Sequence, residues 1–330
     1  MKDLWSIFLA VLRAGLWERN TRLPEIPDAE EWDRLATMAH NQAVQGLFLR
    51  GMARLPEEQL PPARLRLRLM AEVDSIARTN AQMAQVETRL LDKFYKEGME
   101  AHVLKGSRLA RFHPCPEWRS CGDIDLYVPD FARALSLFPQ ARVSADGSAE
   151  MALEGVTVDL HPRYFDIHVK ETLLPKVPSV TAELLMTGAH ILKHAIGAGV
   201  GLKQLSDMAL ALDRSWGTYR PEELDLAVRR AGLARWWRLL CSLLVQDLGL
   251  NPEKCGPSFK PCASARLMRI VRRGGNFGQN KTPRQRALQR GGWVRKASTA
   301  LSFVTRLPFS LRYAPKETSS TIAELVKGNL

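Results

Sequence analysis

The sequence feature that most constrains the fold is a change of hydrophobic periodicity near residue 99 of this 330-residue chain. Before it, apolar residues recur at helical spacing, and one long helical pattern runs from Pro62 to Gly98. From residue 99 to about 170, short runs typical of strands alternate with turn residues; they are AHVLKG, DIDLYV, ARVSA and VTVDLH. From Ser179 the helical patterns return. We therefore predict an α+β chain in which a small mixed β-sheet is embedded among helices and is followed by a helical bundle.

The same changes of pattern divide the chain into four parts. We predict an N-terminal helical region over residues 1–98, an α/β core over 99–170, a helical domain completing a cleft over 171–250, and a basic C-terminal extension over 251–330. The last boundary lies where the helical patterns give way to a stretch rich in Gly, Pro, Asn and Arg.

Positive charge is concentrated in the C-terminal extension. The chain has a formal net charge of +12, and residues 256–330 contain fifteen Lys or Arg against two acids, Glu317 and Glu324. Such a segment attracts polyanions, which makes nucleic acid, an anionic membrane surface or a phosphorylated partner candidate ligands. The alternative is a solvated basic surface with no dedicated partner.

Composition disfavours several classes of protein. No run approaches the roughly 20 apolar residues that span a bilayer. The apolar stretch Leu4–Leu12 lies between Asp3 and Arg13, so we interpret it as a first helix and not as a signal peptide. The five cysteines include no CxxC pair, which disfavours a disulfide framework and favours a reducing, cytoplasmic location. No standard zinc spacing links the neighbouring candidate ligands of the core, which are His113, Cys115 and Cys121.

Two aspartates on one strand are the first candidate site. Asp123 and Asp125 flank Ile124, so on a strand their side chains share one face. Paired carboxylates suit a hard divalent ion such as Mg²⁺ or Mn²⁺, which also binds substrate phosphates. Asp159, near the end of another strand, is the candidate third carboxylate and would allow a second ion. The alternative is that the aspartates simply point into water at a strand edge.

A Lys-Gly-Ser turn precedes this strand. Gly106 permits close backbone approach, Ser107 offers a hydroxyl and an amide, and Lys105 adds positive charge. These properties indicate phosphate binding, although the P-loop pattern GxxxxGK[ST] is absent.

Taken together, VLKGSRLARF followed by CGDIDLYV resembles the nucleotidyltransferase superfamily that includes DNA polymerase β. That superfamily combines a strand, Gly-Ser or Gly-Gly, a short helix and a strand with an Asp-x-Asp pattern. More narrowly, the chain is similar to a bacterial family of uncharacterised nucleotidyltransferases, over roughly residues 35 to 250. That family has a Lys-Gly start, an Arg before the Asp-x-Asp strand, a strand ending in acid-hydrophobic-His, and a His-x3-His helix followed by a basic residue and an Asp. The gap between Gly106 and Asp123 is long for the superfamily but usual for this family.

The resemblance implies a role for each matching position. The implied catalytic and metal-binding residues are Asp123, Asp125 and Asp159, with Asp159 completing a second-ion site or acting as general base. His161 accompanies them on the strand end. The implied nucleotide-binding residues are Lys105, Gly106, Ser107, Arg119, His190, His194, Lys203 and Asp207. From the residues alone, the two histidines of this helix could equally be a packing pair, and the lysine and aspartate of the next a plain i,i+4 pair.

The expected enzyme is a Mg²⁺- or Mn²⁺-dependent nucleotidyltransferase that uses an NTP as co-substrate. It would transfer a nucleoside monophosphate to an unidentified acceptor, for which a peptide, a protein, a sugar and RNA are the candidates, and release pyrophosphate. One alternative is transfer of the sugar from a sugar nucleotide to a peptide or phosphopeptide in a natural-product pathway. Another is a non-enzymatic module that binds nucleic acid or a partner through the basic C-terminal extension.

Overall fold

The computed structural model describes residues 2–144, 147–197, 199–276 and 305–326. Four helices precede the core: α1 Leu4–Trp17, α2 Ala29–Asn41, α3 Gln45–Met52 and α4 Ala63–Lys96. The core contains β1 His102–Val103, α5 Ser107–Ala110, β2 Ile124–Tyr127, α6 Phe131–Leu137, β3 Arg142–Val143, β4 Ala149–Leu153 and β5 Val156–His161. The helices that follow are α7 Val180–Ile196, α8 Leu202–Arg214, α9 Pro221–Arg230, α10 Ala234–Leu248, α11 Ala265–Gly274 and α12 Pro315–Val326. The predicted α+β class, with a small mixed sheet among helices, is confirmed.

Helix boundaries follow local chemistry that the sequence shows. Asp28 and Glu31 form a capping box at the start of α2, and the Ser179 hydroxyl accepts a hydrogen bond from the Ala182 amide at the start of α7. The long helix α4 starts after Pro62 and ends before Gly98, whose φ of +66° a helix cannot continue.

The five strands form one sheet in the order β1-β2-β5-β4-β3. Strands β2 and β5 are parallel, and the other neighbours are antiparallel. Strand β4, AEMAL, was not among the predicted strands because its Ala and Glu residues have low strand propensity. It forms through a hairpin with β5, whose turn places Glu154 and Gly155 at positive φ.

The two faces of the sheet have different environments. One face packs on α4 and α6, where Phe94 and Leu90 contact the cluster that contains Leu126 and Leu160. Because side chains alternate along a strand, the residues between these apolar positions point to the opposite face. That face carries the acidic residues of β2 and β5.

A separate, larger core joins the N-terminal helices to those after the sheet. The C-terminal part packs on this core: Phe309, in the helical stretch 305–313, is 2% exposed and lies against the Trp236 ring. Arg306 donates to the carbonyl oxygens of Ala195 and Gly197 at the end of α7. Much of the predicted basic segment 256–316 lies outside the described residues. Among the residues that are described, no helix has the length and hydropathy needed to cross a membrane.

Candidate active site

The centre of the site is a pair of carboxylates on adjacent parallel strands. Asp125 of β2 and Asp159 of β5 are register partners, and His161 lies two residues beyond Asp159 on the same face. One ligand atom from each of these three residues lies within 4.8 Å of the other two. The parallel pairing of β2 with β5 therefore brings together residues that are more than thirty positions apart in the sequence.

Asp125 already has two partners of its own. Its Oδ1 lies 2.8 Å from the Lys105 Nζ and 3.0 Å from the His161 Nε2. Burial by itself favours the neutral carboxyl, but the Lys105 charge and these hydrogen bonds outweigh it and lower the pKa of Asp125 to about 2. Asp125 is therefore ionised at neutral pH.

The two other aspartates have the opposite shift. Burial, followed by the charges of Asp125 and Asp123, raises the pKa of Asp159 to about 6. The pKa of Asp123 is also raised, by burial first and by Asp125 second. Asp123 precedes β2 and does not belong to the group of three whose ligand atoms converge. The site thus contains more negative charge than its neighbours neutralise.

This donor set fits a divalent cation. Two carboxylates and one imidazole converge, and repulsion within the acidic group contributes to the raised pKa values of Asp123 and Asp159. A bound cation would relieve that repulsion. Oxygen ligands suit Mg²⁺ and Mn²⁺, and an imidazole is compatible with the latter.

The Lys-Gly-Ser turn lies beside Asp123. Gly106 has φ +60°, and a Cβ at this position would lie 3.5 Å from the Asp123 carbonyl oxygen. The Ser107 hydroxyl donates to Glu87 Oε2 of α4 at 2.6 Å, so it is already engaged with the protein. The turn is therefore held in place by the long helix α4, and Lys105 reaches from it to Asp125.

The predicted histidine pair of α7 forms one unit. The Nε2 atoms of His190 and His194 are 2.7 Å apart, and both rings are half-buried. Burial lowers the pKa of both, that of His194 to about 3, and in each case Lys105 is the charged neighbour with the largest effect. His161 also affects His190. Two neutral imidazoles therefore lie on the α7 side of the lysine that contacts Asp125.

Arg119 and Asp207 form a buried ion pair. The Arg119 Nε and Nη2 donate to the two carboxylate oxygens of Asp207 at 2.8 and 2.7 Å. His113 Nε2 lies 2.8 Å from the same carboxylate, and both members of the pair are less than 10% exposed. The pair joins the loop before β2 to α8. Lys203, one turn earlier on α8, donates to the Ser120 carbonyl oxygen at 3.2 Å.

Comparison with known proteins identifies the family. A family model described as "Uncharacterised nucleotidyltransferase" matches residues 28–248, which is more than half of the chain. The chain belongs to this nucleotidyltransferase family. No curated protein and no solved structure matches the chain.

Several of the predicted site residues meet at the carboxylate face, which is the face of the sheet that carries Asp125 and Asp159. Lys105, Asp125 and His161 are in direct contact, and Asp159 completes the group. Arg119 forms an ion pair with Asp207, and the imidazole rings of His190 and His194 contact each other. His113, considered from the sequence only as a disfavoured zinc ligand, contacts Asp207; its spacing in the sequence carried no signal of that contact.

A second ionic cluster was not predicted. Arg108 and Arg111, on and just after α5, both donate to Oε2 of Glu183 of α7, at 3.1 and 2.6 Å. The Glu183 side chain is 1% exposed. An acidic residue in the first turn of a helix is usually a solvated contribution to the helix dipole, so nothing in the sequence distinguished Glu183.

Proposed function

We propose that this protein transfers a nucleoside monophosphate from an NTP to a hydroxyl group of an acceptor, with release of pyrophosphate. The observation that carries the proposal is the register pairing of Asp125 with Asp159 beside the Lys105–Ser107 turn. The strand, the turn and the second acidic strand are the parts that the family pattern requires, and they converge at one sheet face.

Asp125 and Asp159, with Asp123 beside them, would hold Mg²⁺ or Mn²⁺, and His161 is a further candidate ligand. When bound, such an ion stabilises the negative charge on the phosphate oxygens. The remaining contributions come from protein side chains.

The triphosphate would bind on the α7 and α8 side of the carboxylates. Lys105 and Lys203 supply positive charge there, and the His190 and His194 pair offers neutral imidazole groups. Gly106 allows the phosphates to approach the backbone of the turn. Positioning of this kind, and electrostatic stabilisation, are the main contributions to phosphoryl transfer.

In the transfer step, the acceptor hydroxyl oxygen forms a bond to the α-phosphorus. The bond from that phosphorus to the oxygen bridging to the β-phosphate breaks, and pyrophosphate leaves with the electron pair. As the alternative to holding the metal, Asp159 would accept the hydroxyl proton. Without a bound cation its pKa is raised to about 6, so it is largely ionised at neutral pH and able to take up a proton.

Arg119 and Asp207 were predicted to contact the nucleotide, but their side chains form an ion pair with each other. We propose a positioning role for them, in which the buried pair fixes the loop that leads into Asp123. Arg119 would then act on the nucleotide through the placement of this loop.

Metal-dependent nucleotide binding tests this proposal. The unfolding temperature is measured with each of the four NTPs, with and without Mg²⁺, for the wild type and for Asp125→Asn. We expect at least one NTP to stabilise the wild type only when the metal is present, and to have little effect on the variant. Asp74→Asn on the exposed face of α4 is the matched control and should behave as the wild type. Equal stabilisation of wild type and Asp125→Asn would contradict the proposal.

A further inference from the structure

The cluster of Arg108, Arg111, Glu183 and Tyr164 contains more positive than negative charge. Two guanidinium groups share one oxygen of a single buried carboxylate. Tyr164, which follows β5 and is 5% exposed, lies close enough for Arg108 and Glu183 to influence its hydroxyl. The Arg111 side chain remains 45% exposed and that of Arg108 24% exposed, so the cluster opens to solvent on the side of the arginines.

Three buried polar atoms of this cluster have no hydrogen-bond partner among the residues that the structure describes. They are Glu183 Oε1, Arg108 Nε and the Tyr164 hydroxyl oxygen. A buried polar atom without a partner destabilises the fold, and the cost is greater for charged groups. Two of these three atoms belong to residues that are at least 95% buried, Glu183 and Tyr164, so bulk solvent has little access to them.

The cluster lies away from the carboxylates that would hold the metal ion. Glu183 and His190 are both on α7, seven residues apart, which corresponds to about 10 Å along the helix axis. Of the charged neighbours of His190, Lys105, which contacts Asp125, has the largest effect on its pKa. This separation suits a group on a second molecule better than a phosphate of the nucleotide.

We infer that Arg108, Arg111 and Tyr164 bind an anionic oxygen group, a phosphate or a carboxylate, on the acceptor substrate. Arg108 Nε and the Tyr164 hydroxyl would donate to the anion, and the excess guanidinium charge would complement it. Glu183 Oε1 needs a donor, so the anion carries a hydroxyl beside it or on it. This inference rests on the proposed function, because it concerns the acceptor of the same reaction.

The test measures anion binding without nucleotide or metal. The unfolding temperature is titrated with inorganic phosphate, glycolate or acetate at constant ionic strength. Glycolate has a hydroxyl beside its carboxylate and acetate has none. We expect phosphate or glycolate to stabilise the wild type more than acetate does, and whichever of the two is effective indicates the class of the natural group.

Two variants locate the binding. Arg111→Gln leaves Arg108 paired with Glu183, so the buried carboxylate keeps a partner and the fold is retained; we expect at least tenfold weaker anion binding. Tyr164→Phe removes only a hydroxyl that has no partner, and a severalfold weakening is expected. Arg78→Gln, on the exposed face of α4, is the matched control and should leave the binding unchanged.

Three results would overturn the inference. The first is the absence of any stabilisation by phosphate or glycolate, as expected if an internal water satisfies the cluster. The second is equal binding by the wild type and Arg111→Gln. The third is binding that is lost in Asp125→Asn and kept in Arg111→Gln, which would place the anion at the carboxylate face. Under the proposed function, nucleotide binding is expected to depend on Asp125 and not on Arg111, so failure of this inference is distinguishable from failure of the proposed function.

Discussion

At the scale of single residues, the site is organised by charges that offset each other over short distances. Asp125 keeps its charge because Lys105 and His161 contact it, whereas Asp159 and Asp123 have raised pKa values. The Asp-x-Asp alternation, the Lys-Gly-Ser turn and Asp159 could all be predicted from the sequence, because each is a local pattern. The Glu183 cluster could not, since it depends on the way α5 packs against α7.

The lowered pKa values of His190 and His194 predict a pH dependence of stability. The folded state keeps both rings neutral below their unfolded pKa of about 6.5, whereas the unfolded state binds protons there. These two rings therefore leave the free energy of unfolding unchanged above about pH 6.5. Below that pH the free energy of unfolding falls, by at most about 1.4 kcal/mol per histidine for each pH unit.

Urea unfolding at pH 7, 6 and 5 checks this expectation. The free energy of unfolding should fall with decreasing pH in the wild type, and His194→Asn should show a smaller slope. A slope unchanged by His194→Asn would show that the ring is not held neutral in the folded state.

Gly106 supports a second prediction at this scale. Its φ of +60° is unfavourable for any residue with a Cβ, so Gly106→Ala should destabilise the fold by about 1–2 kcal/mol and weaken NTP binding by displacing the turn. Gly122→Ala, in the loop before β2, has open space and no positive φ, and is the control. Calorimetric NTP titration of both variants makes the comparison, and equal affinities would argue against a role for the turn.

At the scale of elements, buried ionic contacts fix the core against the helices that follow it. Arg119 and Asp207 join the loop before β2 to α8, and Arg306 binds the carbonyl end of α7, one turn beyond His194. The sequence predicted α4, α7 and most strands, because their periodicity and caps are local signals. It could not predict that Arg119 and Asp207, 88 residues apart, pair with each other.

Removal of one partner of this pair should be costly. Arg119→Met leaves the Asp207 carboxylate buried without its arginine hydrogen bonds, with the His113 contact retained, and we expect a loss of about 3–5 kcal/mol in the free energy of unfolding. The double variant Arg119→Met/Asp207→Leu should recover part of that loss. The exposed pair of Arg78 and Asp74 is the control, with an expected effect of about 1 kcal/mol or less. A small effect of Arg119→Met would contradict a positioning role.

At the scale of the whole molecule, the family pattern covers less than the folded structure does. The match ends at residue 248, yet α11 and Phe309 pack on the same core as the matched helices. The sequence showed the positive charge of this region but not its packing, since charge patterning carries little information about tertiary contacts. The basic face of α11 therefore belongs to an element that is part of the fold.

Phe309 tests how far the fold depends on this region. Phe309→Ala removes a ring that is 2% exposed and contacts Trp236, so we expect a loss of about 3–5 kcal/mol in urea unfolding. Leu311→Ala, at a position that is 43% exposed, should cost far less. A wild-type midpoint for Phe309→Ala would mean that the C-terminal part contributes little to stability.

The most direct test of nucleotidyl transfer follows the two ends of the triphosphate separately. The protein is incubated with an extract of the cells that make it and with each NTP labelled at either the α- or the γ-phosphate. We predict that α-label becomes attached to an acceptor while γ-label is released in pyrophosphate, and that Asp125→Asn abolishes both events while Asp74→Asn has no effect. Transfer of γ-label to the acceptor, or undiminished α-label transfer by Asp125→Asn, would contradict the account.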